Sequence, residues 1–378
     1  MAGLYIHIPF CASKCIYCDF YSVTSTDMAD SYVDMLLKEY ELRIAEIGEN
    51  TLNTLYIGGG TPSMLSIMTL TKLVDGLRLR GALDNLVEFT IEVNPDDISQ
   101  EYAVGLKILG INRVSMGIQS FNDEDLRLLN RRHNSEQIFR AVEYLQSAGF
   151  DNISVDLIYG LPEQTMRGWL RNLECVLSLG VQHLSAYSLS YEEGTKLYRL
   201  RDKGDIKGCS DILYIEMYDA LVEQLTNAGF VHYEVSNFAL PERFSKHNSS
   251  YWDDTLYIGL GAAAHSYDGE CRRYNCSSVK GYIDSLSRGE LAYTTEVEEL
   301  YERYNDYVMT ALRTMWGANM EIIRERFGAE LYTHFMDNLS QFVDCGDIQL
   351  CDGVTVVITE KGVMRSDAII RELFYLPD

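Results

Sequence analysis

From residue 3 to about residue 230, short apolar runs alternate with longer amphipathic stretches. Gly3–Ile8, Thr54–Ile57, Glu88–Val93, Arg113–Ile118, Ile153–Ile158 and His183–Leu189 are rich in Val, Ile, Tyr and Phe. They read as near-continuously apolar, the pattern of parallel strands buried on both faces. Between them, Ala29–Ile47 places Val33, Leu36, Leu37, Tyr40 and Ile44 at helical spacing. Ile67–Leu79, Gln100–Leu109, Ser135–Ala148, Met166–Leu179 and Asp211–Ala228 are further helix candidates. Gly110, Gly149, Gly180 and Gly229 each stand just past a helix, where a left-handed cap favours glycine. Successive βα units of this kind predict an α/β fold with a parallel sheet.

Whether that sheet is open or curled follows from where the polar motifs fall. The first strand is followed by a cysteine-bearing loop, the second by Gly58-Gly59-Gly60-Thr61-Pro62. The third ends in Glu92-Val93-Asn94-Pro95, the fourth in Gly117-Ile118-Gln119-Ser120-Phe121. The fifth carries Asp156 and ends in Tyr159-Gly160-Leu161-Pro162, and the sixth ends in Ser188-Leu189-Ser190. An open doubly wound sheet concentrates its site at one switch point, whereas a barrel builds it from the C-terminal ends of many strands. The pattern therefore predicts a partial, TIM-like (β/α)6 barrel over residues 1–235, then a connecting segment, 236–290. Residues 291–378 differ. Helix candidates Glu298–Arg313, Met320–Arg326 and Leu331–Gln341 lead to a hairpin, Ile348–Leu350 with Val354–Ile358, and to Ser366–Phe374. Helices plus a hairpin predict a smaller winged-helix-like C-terminal domain.

The bulk numbers narrow the function. At 378 residues the chain is long enough for a barrel and a second domain. A hydrophobic fraction of 47% and a charged fraction of 23% are those of a globular protein. The net charge of −24 argues against a nucleic-acid partner, whose phosphates require clustered Lys and Arg. Nine cysteines without a recognisable signal peptide point to a reducing cytoplasm. No run of 18 apolar residues occurs, so membrane association is expected to be peripheral at most.

The candidate chemistry begins at Cys11-Ala12-Ser13-Lys14-Cys15-Ile16-Tyr17-Cys18. Thiolates are soft ligands suited to iron–sulfur clusters, and a [4Fe–4S] cluster takes four. A tight loop with three leaves one iron open to chelate an amine and a carboxylate. Two other readings compete: Cys15 and Cys18 as a thioredoxin-like redox pair, or a zinc site completed by His7 or Asp19. Cys175, Cys209, Cys271, Cys276, Cys345 and Cys351 show no ligand spacing. Gly259-Leu260-Gly261-Ala262-Ala263-Ala264-His265 half-resembles a dinucleotide fingerprint but lacks the third glycine and the acidic strand end, and reads as a tight turn near the barrel mouth.

The C-x3-C-x2-C spacing resembles the cluster motif of radical S-adenosylmethionine (SAM) proteins. Together with Tyr5-x-His7-Ile8-Pro9-Phe10-Cys11, Gly58-Gly59-Gly60-Thr61-Pro62, Gly117-x-Gln119-Ser120-Phe121 and Asp156-Leu157-Ile158-Tyr159-Gly160-Leu161-Pro162, it resembles one subfamily from about residue 3 to the C-terminus. That subfamily is the HemN family, which holds oxygen-independent coproporphyrinogen III dehydrogenases and the heme chaperones (HemW). The resemblance implies a [4Fe–4S] cluster on Cys11, Cys15 and Cys18. It implies SAM held by Gly59, Gly60 and Thr61 at its amino group, Glu92 at the ribose and Arg131 at the carboxylate. Gln119, Asp156 and Ser190 match further SAM-contacting positions; Tyr5 is implied beside the sulfonium methyl and Tyr17 on the adenine side. Two departures separate this chain from the dehydrogenases. Phe20 stands where they carry an additional cysteine, and only ten residues precede Cys11 where they have an extension. His247-Asn248-Ser249-Ser250-Tyr251-Trp252 matches the H-N-x-x-Y-W motif of the chaperones. It implies His247 as a heme axial ligand with Tyr251 and Trp252 against the macrocycle, and His265 as second choice. The function implied is heme binding and delivery to heme-dependent client proteins such as respiratory enzymes, with an electron donor such as flavodoxin or ferredoxin. The alternatives are coproporphyrinogen III dehydrogenation in porphyrin biosynthesis, which both departures disfavour, and radical SAM methylation of heme. Whether SAM is cleaved, and so whether the chain is an enzyme, is open at this level.

Overall fold

The computed structural model of the chain describes residues 1–377. The six expected strands form: β1 (Ala2–Ile8), β2 (Leu52–Gly59), β3 (Glu88–Val93), β4 (Arg113–Gln119), β5 (Ile153–Tyr159) and β6 (His183–Ser188). They pair in parallel and in sequence order. Helices α1 (Ala29–Arg43), α2 (Ile67–Arg78), α3 (Gln100–Ile108), α4 (Asp123–Leu128), α5 (Ser135–Ser147) and α6 (Met166–Ser178) return the chain between strands, and α7 (Lys196–Asp202) and α8 (Asp211–Asn227) follow β6. The starts are fixed chemically. Ser66, Ser99, Asn134 and Thr165 each accept a hydrogen bond from the backbone N–H three residues on, satisfying a donor that the helix leaves unpaired. The four glycines expected past helix ends all have positive φ, from 65° to 94°.

The strands are not uniformly apolar. Their outward residues, such as Leu4, Ile6, Leu55, Ile57, Phe89, Ile91, Val114, Met116, Val155 and Leu157, are buried beneath the helices. The residues of opposite parity face inward, because successive side chains alternate across a strand. They are Gly3, Tyr5 and His7; Thr54, Tyr56 and Gly58; Glu88, Thr90 and Glu92; Arg113, Ser115 and Gly117; Ser154 and Asp156; His183, Ser185 and Tyr187. An eight-stranded barrel fills this space with branched apolar side chains. Here the lumen is polar from end to end.

The expected connecting segment 236–290 carries strands of the same sheet. Beyond β6 lie β7 (Val231–Glu234) and β8 (Asn237–Ala239), paired antiparallel. After α9 (Lys246–Ser250), β9 (Leu256–Leu260) pairs in parallel with the far side of β1, and β10 (His265–Tyr267), β11 (Cys271–Asn275) and β12 (Tyr293–Val297) continue outward, with α10 (Val279–Ser287) between the last two. Among the described residues the sheet has twelve strands, with β1 inside it. The glycine run at 259–261 ends β9 and starts the turn. A Cβ at Gly259 would lie 2.0 Å from the His265 carbonyl oxygen, and Gly261 has φ +100°. A close backbone crossing, not a phosphate, accounts for these glycines.

A buried ion pair ties α1 to this added sheet. Arg43 is fully buried; its Nη1 donates to Glu39 Oε1 and to the Gly259 carbonyl, both at 2.9 Å, and its Nη2 to Ser266 Oγ at 2.9 Å. Glu39, 2% exposed, also accepts from Gly261 N (2.9 Å), Asn275 Nδ2 (2.8 Å) and the Tyr282 hydroxyl (2.5 Å).

The C-terminal part has its own apolar core. It runs α11 (Leu300–Leu312), β13 (Ala318–Asn319), α12 (Met320–Asp344), β14 (Ile348–Cys351), β15 (Thr355–Ile358) and α13 (Ser366–Leu373). Gly328, at φ 86° and ψ 177°, breaks α12 into the two helices that the sequence predicts. The sheet order β13-β15-β14 is that of a winged helix. This unit packs on the end of the barrel where the strands begin. Val235 N donates to the Arg313 carbonyl and Met315 N to the Tyr233 carbonyl, both at 3.0 Å, and Arg326 pairs with Asp254 at 2.5 Å. Among the described residues no helix is long and apolar enough to cross a membrane.

Candidate functional site

At the other end, where the strands finish, a cavity of about 460 Å³ opens. Cys11, Cys15 and Cys18 line it, as do Tyr17, Gly59, Gly60, Thr61, Glu92, Gln119, Arg131, Asp156 and Ser190. Twelve residues that the resemblance implies thus meet in one space. Tyr5 does not reach it. Its hydroxyl lies lower in the lumen, 3.1 Å from His7 Nδ1, with its ring stacked on Tyr56.

The cysteine loop is held from three directions. Cys11 N donates to the Val23 carbonyl (2.9 Å), Ile16 N to Leu129 (3.3 Å), and Leu197 N to the Ile16 carbonyl (2.8 Å). Asn130 Nδ2 donates to the Lys14 carbonyl at 2.9 Å. All nine cysteines are free thiols. Among the described residues no three His, Cys, Asp or Glu side chains converge on a single-ion site. His7 is committed elsewhere: Nδ1 to Tyr5 and Nε2 to the Tyr21 carbonyl, 3.1 Å each. The loop presents three thiols around a cavity edge, a donor set that fits an iron–sulfur cluster better than a zinc ion. Thr61 Oγ1 lies 3.5 Å from Cys11 Sγ and Arg131 Nη1 3.4 Å from Cys15 Sγ. Burial, with the neighbouring thiols adding to it, pushes Cys18 up to about 11; iron must displace that proton.

Arg131 is fixed by its other nitrogen. Nη2 donates to Asn94 Oδ1 at 2.6 Å and to the Gly117 carbonyl at 2.5 Å, while the buried Nε has no protein partner. A buried guanidinium with an unused N–H beside a cavity fits a carboxylate ligand. Gln119 reaches the cavity through a bulge, where the β4–β5 register shifts and Gln119 takes φ +67°. Such conformations persist where surrounding structure enforces them. Glu92 accepts from the Tyr56 hydroxyl (2.8 Å) and from Gly59 N (3.0 Å). Burial raises Glu92 to about 7 and Asp156 to about 6, with Asp156 adding to the effect on Glu92.

The three glycines have protein reasons of their own. A Cβ at Gly58 would meet Tyr56 and the Glu92 carboxyl, at Gly59 (φ +108°) the His7 ring at 2.5 Å, and at Gly60 the backbone of Ile8–Phe10. Strand-to-loop packing, and not only approach by a ligand, requires them.

His247 does not line this cavity. It lies fully buried at the opposite end of the lumen from the cavity. Nδ1 is 2.8 Å from Thr54 Oγ1 and Nε2 is 2.9 Å from the Tyr251 hydroxyl, so both ring nitrogens are engaged inside the protein. Its backbone N–H and that of Lys246 donate to Glu88 at 2.9 and 2.8 Å. Burial depresses it to about 3. Both nitrogens here serve packing inside the protein, a role that residue type alone could not tell apart from heme ligation. Tyr251 is exposed and Trp252 half-buried in the turn that follows. His265, the second choice, is exposed with its ring against Tyr274. His247→Ala should cost about 2–3 kcal/mol in urea unfolding, from two lost buried hydrogen bonds and a cavity. Heme binding by the folded variant should match the wild type in absorbance titrations; a selective loss would restore His247 as ligand.

Comparison with known proteins agrees with this geometry. The family model of the radical SAM superfamily matches residues 5–176. The chain is 36% identical over 373 residues to the heme chaperone HemW of Bacillus subtilis (strain 168), covering 98% of each chain. It is 34% identical over 375 residues to the heme chaperone HemW of Lactococcus lactis subsp. lactis (strain IL1403), covering 99% of this chain and 97% of that one. Among solved structures it resembles the coproporphyrinogen III oxidase HemN from Escherichia coli, described as a radical SAM enzyme. That match has a TM-score of 0.84 and 24% identity, covering 99% of this chain and 90% of the other.

Proposed function

This chain belongs to the radical SAM superfamily and, within it, to the family of the HemW proteins; from that premise we propose that it is a heme chaperone. It carries a [4Fe–4S] cluster on Cys11, Cys15 and Cys18, holds SAM in the strand-end cavity, and binds heme for delivery to heme-dependent client proteins. The observation that carries the cofactor reading is the meeting of three thiols and the Arg131 guanidinium at one cavity edge. When bound, the cluster supplies one electron to the sulfonium of SAM, drawn from a donor such as flavodoxin or ferredoxin. The chain's own residues do the holding. The free Nε–H of Arg131 takes the ligand carboxylate. Glu92 and Asp156, as carboxylates, accept from ligand hydroxyls, and Gln119 and Ser190 close the polar contacts. Tyr17, packed beside Leu129, Ile158 and Leu161, offers an apolar face to a base. The reducing cytoplasm is the fitting compartment for nine unpaired thiols.

Delivery without dehydrogenation is supported at Phe20, which stands 65% exposed on the cavity rim where the dehydrogenases carry a further cysteine. The test is anaerobic. The protein with its cluster reconstituted receives SAM and dithionite, then coproporphyrinogen III in one sample and heme in another. The expected result is no decarboxylated product in the first and intact, stably bound heme in the second. Product in the first makes the chain a dehydrogenase, and consumption of the heme makes it a heme-modifying enzyme.

A further inference from the structure

We propose that Arg113 is a positioning residue for the SAM site: from beneath the cavity floor, through water in the lumen, its guanidinium holds Glu92 and Asp156 as carboxylates able to accept from the ligand. This rests on the reading of the cavity given above.

Arg113 opens β4, opposite Thr90 on β3, and its side chain enters the lumen, 1% exposed. Arginine is almost never so buried unless paired. Yet its Nε and Nη1 have no hydrogen-bond partner, and it forms no ion pair among the described residues. Thr90 Oγ1, at 0% residue exposure, is also without a partner. Dry, these groups would be costly; polar groups left open in a polar interior are the usual place for ordered water.

The charged and titratable groups facing Arg113 come from six elements. Glu88 and Glu92 project from β3, Asp156 from β5, Tyr56 from β2, His183 from β6, Tyr233 from β7 and His247 from α9. Both carboxyl oxygens of Glu88 are taken by the backbone of α9. The two histidines are neutral, their protonation opposed first by burial and then by Arg113 itself. The lumen thus leaves Arg113 facing two carboxyl groups that burial drives toward the protonated form. Hydrogen bonds from Tyr56 and Gly59 N at Glu92, and from Ser185 at Asp156, oppose this first, and Arg113 adds the one nearby positive charge common to both from below. A protonated carboxyl loses acceptor capacity. From the rim, Arg131 acts on Asp156 as well, but it is engaged with Asn94, Gly117 and Cys15.

Two measurements test this. The first needs no ligand: an infrared pH titration of the carboxyl groups, with Glu92→Gln and Asp156→Asn as assignments. In Arg113→Gln the titrations should move up by about one unit, and Arg113→Lys, which keeps the charge, should return most of the shift. The second is equilibrium dialysis of SAM against the reconstituted protein across pH. Wild-type affinity should fall on the acid side, and in Arg113→Gln the fall should begin about one unit higher, leaving binding about tenfold weaker near neutrality. Coincident titrations in wild type and Arg113→Gln overturn the proposal. Should Arg113→Gln not fold, a wild-type protein with Glu92 or Asp156 still protonated at about pH 8 overturns it equally. No SAM binding by wild type, with the titration shift present, overturns the reading of the cavity but not the action of Arg113 on the carboxyls.

Discussion

Cys15→Ala, purified and reconstituted anaerobically, retains close to no cluster iron, against about four irons per chain in the wild type. The reason is geometric. The loop contributes three thiols, and with one removed two remain, too few to hold a cluster against solvent. No substitute is at hand. His7 has both ring nitrogens engaged, and Cys175, Cys209, Cys271, Cys276, Cys345 and Cys351 do not line the cavity. Iron analysis with absorbance spectroscopy decides it. A variant that still holds about four irons per chain sinks the assignment, while Cys276→Ala should keep them all.

Arg43→Met should be the most damaging single change to stability, at about 3–5 kcal/mol, the range for breaking a buried pair by removing one partner. Whole domains are stable by only about 5–15 kcal/mol. Glu39 would be left 2% exposed with a charge and no cation, and Ser266 and the Gly259 carbonyl would lose a donor. Adding Glu39→Gln should recover part of the loss, because a neutral amide removes the stranded charge. Thermal unfolding reads both variants. Limited proteolysis should show first cuts around residues 259–275, where β9 to β11 lose their tie to α1. A loss below about 1 kcal/mol, typical of an exposed pair, would refute this account.

What the sequence discloses depends on range. The cysteine loop and the motifs at the strand ends are local, and all are legible; so are the helix starts and the glycines beyond helix ends. The break at Gly328 is legible only in the glycine itself, because the apolar spacing Ile323, Phe327, Leu331, Phe335 runs across it. The polar lumen is hidden because Tyr, His and Thr sit among Ile, Val and Leu, and a run such as Leu4-Tyr5-Ile6-His7-Ile8 reads as apolar when averaged. Strands β7 to β12 are three to five residues long, shorter than the window in which period two emerges. His247 and Arg113 are hidden for a different reason. Their roles are set by which partners their nitrogens meet, and those partners lie far along the chain: Thr54 is 193 positions from His247.

The place of β1 in the sheet has a consequence for how the protein is made. Its second neighbour, β9, is about 250 residues further on, and two of the three backbone contacts that brace the cysteine loop come from residues 129 and 197. At about 5–20 residues per second, a ribosome needs on the order of ten seconds or more to reach them. During that time the first segment to emerge carries three unbraced thiols. Stable cluster loading is therefore expected only once β9 has emerged, roughly two-thirds of the way along the chain, and a cell starved of assembly factors should accumulate full-length protein lacking iron.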